Sequence, residues 1–92
     1  MNNLDLSVDR LRVLQEQIHT LTREYEVAER WVDLREQEAM NRHGQDYRYF
    51  LFFDVLYGKH LQALYQLNSL IVGLRADMKR INLSLRVYEN VD

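Results

Sequence analysis

The chain contains no cysteine and no proline, and only three glycines in 92 residues. Without cysteine there is no disulfide to staple a small fold and no thiolate to hold zinc or iron. Without proline nothing forces a helix to end, so long helices are the default reading. No Ser/Gly-rich linker divides the sequence, and 92 residues suffice for one domain and not two. Residues 1–92 are therefore read as a single domain. No long uninterrupted apolar run exists either. The most apolar window, residues 49–74, is broken by Asp54, Lys59, His60, Gln62, Gln66 and Asn68, which excludes a membrane span. The N-terminus lacks the basic and apolar regions of a signal peptide, and the missing cysteines fit a reducing compartment, so the expectation is a cytoplasmic chain.

Neither charge sign dominates. The formal net charge is −2, with 47% hydrophobic and 28% charged residues, which is globular and not disordered composition. Residues 1–43 carry 9 acids and 6 bases, and residues 44–92 carry 5 acids and 6 bases, so no basic surface is available to track phosphates or an anionic membrane. Ten of the 12 bases are Arg, which suits pairing at interfaces, although a bias in the coding genome produces the same count.

A heptad organises what remains. From a start near Ser7, with an earlier start at Asn3 left open, the a positions read Leu4, Leu11, Ile18, Tyr25, Val32 and Ala39. The d positions read Ser7, Leu14, Leu21, Ala28, Arg35 and Arg42. Nine of these twelve are apolar, a narrow coiled-coil seam. Ser7 is positioned to cap this helix, with Leu6 stapled onto Leu11. Glu26–Arg30 and Glu38–Arg42 form i,i+4 pairs of favourable order. The helix should stop at Arg42-His43-Gly44, where basic residues suit a C-terminus and glycine suits the left-handed residue after it. Asp46 then caps a second helix over residues 47–89. Its a positions are Phe50, Tyr57, Leu64, Ile71, Met78 and Leu85, and its d positions Phe53, His60, Leu67, Leu74, Ile81 and Tyr88; eleven of the twelve are apolar or aromatic. Gly58 and Gly73 are read as sites of close packing in a continuous helix, since neither has a proline beside it.

One short turn at 43–46 between helices at about 4–43 and 47–89 makes the fold all-α, a long antiparallel coiled-coil-like helical hairpin. Its two walls are unequal. Near the turn, helix two offers Tyr49, Phe50, Phe52, Phe53, Leu56 and Tyr57, continued by Ala63 and Leu70. Helix one opposes them with Ala28, Val32, Ala39 and two arginines. Several aromatics of ~150–250 Å² each exceed the apolar patch a soluble monomer tolerates. The expectation is that residues 49–72, with Trp31 on the flank, bury themselves against a second copy, completing a four-helix bundle, or against a partner protein. The competing expectation is a third helical segment, made by a break at Gly58 or Gly73, that folds over the same patch.

Other constellations weigh less. Glu16-Gln17-Ile18-His19 has the Glu-x-x-His spacing of di-iron bundles, but Ile18 in the seam turns Glu16 and His19 outward, and no second copy of the motif exists. His60 at a d position reads as a satisfied core or register residue before it reads as a pH switch. Trp31 reads equally as an interface anchor and as a cap over the thin Ala28/Val32 layer. No Gly-rich phosphate loop or Ser with an evident base is present. No catalytic residue, cofactor or metal site is expected, nor a membrane partner, and nucleic acid is a minor third reading through Arg12, Arg23 and Arg30. In size, isoelectric point and lack of cysteine the chain resembles the small acidic helical-hairpin chaperones of type III secretion. That resemblance implies a two-helix fold. The functional expectation is a non-enzymatic protein-binding module, a chaperone, adaptor or regulator, with a structural coiled-coil subunit of a larger assembly as the alternative.

Overall fold

The computed structural model describes the backbone of residues 3–89 and the side chains of residues 6–86. Helix α1 spans Asn3–His43. A single 3-10 turn, Gly44–Asp46, leads into a short helix α2, Tyr47–Phe52, and after Phe53 and Asp54 the chain continues as α3, Val55–Glu89. The helices lie antiparallel in a rod of 66 × 19 × 16 Å with a radius of gyration of 19.9 Å. A compact chain of this length would have a radius near roughly 12 Å. The all-α hairpin is as the heptad demands. Gly44 adopts φ of 58°, the left-handed conformation that ends α1, and Arg42 and His43 occupy its last turn.

The core is one residue thick. Leu14, Ala28, Val32 and Ala39 of α1, Leu51 of α2 and Ile71 of α3 are buried, and no large side chain among the described residues is fully enclosed. Along α1 the expected seam holds: Leu11, Ile18, Leu21, Tyr25 and Arg35 are half-buried beside those buried positions, while Arg42 is exposed. Along α3 it holds from Tyr57 to Leu85, through His60, Leu64, Leu67, Leu74, Met78 and Ile81. The side chains of Leu4 and Tyr88 lie outside the described residues.

Several expectations are corrected. Helix two is not continuous: it breaks at Phe53-Asp54, not at Gly58 or Gly73. The Phe53 N–H bonds to the Phe50 carbonyl (3.2 Å) and the Asp54 N–H to the Leu51 carbonyl (3.0 Å), a tightening that closes α2. Asp54 then opens α3 as its N-cap. Its carboxylate accepts from the Tyr57 N–H at 3.1 Å, and its carbonyl accepts the Gly58 N–H at 3.0 Å. The break shifts the phase of everything before it, so Phe50 and Phe53 leave the seam and Leu51 is buried instead. Gly58 and Gly73 do not mark close packing, since nothing stands within 4 Å of where either would carry a Cβ. Helix α1 begins at Asn3, which puts Ser7 inside the helix and not at its cap. Asp46 makes no side-chain cap bond. Neither Glu26–Arg30 nor Glu38–Arg42 closes among the described residues; Glu38 instead approaches Arg35 at 3.8 Å.

Candidate functional site

Among the described residues, two uncovered apolar surfaces are prominent. The first is the tip. Because α2 buries Leu51, its neighbours turn outward: Phe52 is 83% exposed, Tyr49 and Phe53 65% each, and Phe50, Val55 and Leu56 about half or more. The rings hold one another. Tyr49 meets Phe50 and Phe53 edge-on at 5.6 and 5.2 Å, and Phe52 meets Phe53 edge-on at 5.2 Å. Phe50 is anchored from α1 by the stacked ring of His43, 3.5 Å away. The cluster is thus a preformed knob and not a set of loose side chains.

A polar clasp beneath the knob fixes its position. Arg35, at a seam position of α1, donates from Nη2 to Asp54 Oδ1 at 3.2 Å, and its Nε lies 3.2 Å from Oδ2. The second contact is an ion-pair approach only, because the buried Nε–H is not aimed at the oxygen and makes no hydrogen bond. The Tyr57 N–H and then the Arg35 guanidinium hold the Asp54 carboxyl below its ordinary range, against partial burial acting the other way. One residue along α1, Glu36 accepts a 2.8 Å hydrogen bond from the Tyr57 hydroxyl. Burial first, then the hydrogen bond and charge of Glu36, push the Tyr57 phenol up to about 12.

The second surface is a groove along one flank of the hairpin. Toward the open end it encloses a volume of about 900 Å³, bordered by Val13, Thr20 and Leu21 of α1 and Leu70, Gly73 and Leu74 of α3. Toward the tip it continues past Val27, Ala28 and Trp31 to His60. Trp31 lies flat on His60, ring centroids 5.1 Å apart and planes 9° from parallel, and is still 47% exposed. The opposite flank carries Gln15, Thr22, Glu29, Asn68, Arg75 and Asn82.

The residues expected to form one interface are therefore divided. Tyr49, Phe50, Phe52 and Phe53 gather at the tip with Leu56 beside them. Trp31, Ala63 and Leu70 belong to the groove flank, where Ala63 is half-buried. Tyr57 is part of the clasp, half-buried with its hydroxyl used by Glu36. Glu16 and His19 are both exposed, and no group of three or more His, Asp or Glu among the described residues is arranged to hold a metal. No helix among the described residues is long and apolar enough to cross a membrane. What sequence reasoning missed is a second stripe on α1: Leu6, Val13, Val27 and Leu34, all half-exposed, with Thr20 between them. They recur every seven residues, a period visible once positions other than a and d are read. The chain matches no protein-family model, no curated protein and no solved structure.

Proposed function

We propose that this chain is a non-enzymatic protein-binding module, a small helical chaperone or adaptor, that takes an apolar segment of its partner onto the aromatic tip and the adjoining face of α3 as far as residue 72. In the same reading the hairpin pairs with a second copy to complete a four-helix bundle. The observation that carries it is the Tyr49–Phe50–Phe52–Phe53 knob, exposed yet ordered by ring-on-ring contacts and by His43. Aromatic anchors held in place before binding lose little freedom on binding, which is how interface hot spots are built. The exposed area supports association as well. The chain presents 7637 Å² to solvent, whereas a compact monomer of its mass would present about 5,700 Å².

The test is a titration of a fluorescently labelled amphipathic helical peptide, with leucines at i, i+3, i+4 and i+7, against the wild type and a Phe52→Arg, Phe53→Arg variant. Both side chains are exposed, so circular dichroism should be unchanged. Binding by the wild type that weakens at least about tenfold in the variant, equivalent to about 1.4 kcal/mol, is the expected result. Equal binding by both proteins would remove the tip from the function. A structural subunit of a larger assembly is the second reading, favoured by the 66 Å rod shape; it predicts a stable closed oligomer that ignores the peptide.

A further inference from the structure

We infer that the outer stripe of α1, and not the α3 face, is the seam on which a second copy of this chain docks, antiparallel, with its two-fold axis at Thr20. This rests on the self-association part of the reading above and assigns its surface. The stripe reads Leu6, Val13, Thr20, Val27, Leu34, the same in both directions. Laid antiparallel on a copy of itself about Thr20, it puts Leu6 on Leu34 of the second copy and Val13 on Val27. The large apolar side chains involved are all half-exposed in the single hairpin.

The flanks agree with the same register independently. On one side of the stripe stand Asp9, Glu16, Arg23 and Arg30, acids in the first half and bases in the second. The antiparallel copy sets Asp9 against Arg30 and Glu16 against Arg23, each twice. On the other side stand Arg10, Gln17, Glu24 and Trp31. The same operation sets Arg10 over the indole of Trp31 and Gln17 beside Glu24, a cation–π contact and a hydrogen-bonding pair. Trp31 has one face on His60, 5.1 Å away, and is about half open to solvent. Asp9 now pairs with Arg12 at 3.0 Å, but both side chains are more than half exposed and exchange partners at little cost.

The area fits. Each hairpin exposes roughly 1,900 Å² more than a compact monomer of its mass, against the ~800 Å² per partner of a standard interface. An isologous contact uses one patch twice, so it must be complementary to itself, as this stripe and its flanks are. The arrangement leaves the two aromatic tips at opposite ends of the assembly.

The absence of cysteine makes the test clean. Thr20→Cys treated with a short bis-maleimide should convert to covalent dimer in high yield, because the two copies of residue 20 meet on the axis. Leu34→Cys alone should not, its two copies standing about 40 Å apart, whereas Val13→Cys mixed with Val27→Cys should give the mixed dimer. In parallel, light scattering should give a mass near twice 11.2 kDa. Arg23→Glu with Arg30→Glu should lower it toward monomer, and mixing with Asp9→Arg, Glu16→Arg should restore it. A dimer by mass in which Thr20→Cys fails to cross-link overturns the seam while leaving self-association standing. A monomer at every concentration overturns both, and the peptide titration at the tip is unaffected by either outcome.

Discussion

Replacing Asp54 tests the feature on which the tip depends. In Asp54→Ala the Tyr57 N–H loses its cap acceptor and Arg35 loses its counter-charge. Loss of an N-cap costs about 1 kcal/mol. The ion pair is neither surface nor core, with side chains 27% and 24% exposed, and about 1 kcal/mol is a fair figure between those limits. The expected destabilisation is therefore about 2 kcal/mol, which for a chain of this size lowers Tm by roughly 8–16 °C. Asp54→Asn keeps a good capping residue and loses only the charge, so it should fall about half as far. Arg35→Leu should match Asp54→Asn, and the Asp54→Ala, Arg35→Leu double variant should fall short of additivity by about 1 kcal/mol. Thermal melts followed by circular dichroism at 222 nm, at one fixed protein concentration, read all four. An Asp54→Ala protein within about 0.5 kcal/mol of wild type, inside the range of ordinary surface changes, would refute the clasp. So would a variant that gains helicity and stability, since a continuous helix would then be the preferred state.

Three further outcomes follow from the same geometry. Gly44→Ala should cost about 1 kcal/mol, because residue 44 sits at φ 58° where a Cβ is strained. Gly58→Ala should gain about 0.5–1 kcal/mol, because it is helical with open space around it; denaturant midpoints separate the two by sign. Stability should also fall at both ends of the pH scale. Asp54 has a depressed carboxyl, so its contribution is whole above the ordinary carboxylate range and is lost as pH drops through the folded-state value. Tyr57 is raised to about 12, so its contribution is whole below about 10 and is lost as pH climbs toward 12. Urea melts across pH should show both limbs, and Tyr57→Phe should remove the alkaline one.

The hairpin itself was legible because its determinants are local and periodic. The seam from Leu11 to Ala39 and from Tyr57 to Leu85 follows from apolar residues every three or four positions, and the turn follows from one glycine after two basic residues. The surplus of aromatics over the narrow wall opposite them was also legible. The break was not, because a helix can end without glycine or proline. Asp54 was the available signal, a good N-cap residue amid the aromatic run. The outer stripe of α1 is hard to read for a different reason. Half-exposed Val and Leu residues seven apart add little to a hydrophobic average once charged neighbours are counted, and only a position-by-position reading of the heptad brings them out.

Why the helix breaks at Asp54 follows from Arg35. A continuous heptad would seat Phe53 in the seam close to the Arg35 guanidinium and leave that cation half-buried with no carboxylate from the facing helix. Pairing that half-buried cation with Asp54, together with the capping of α3 by the same carboxylate, offsets the hydrogen bonds lost when the helix is interrupted for two residues. Stopping α2 at Phe52 turns the aromatic rings outward, drops the smaller Leu51 toward Ala39, and delivers the Asp54 carboxylate to Arg35. One charged residue on α1 thereby accounts both for the interruption of the opposite helix and for the exposure of the aromatic knob.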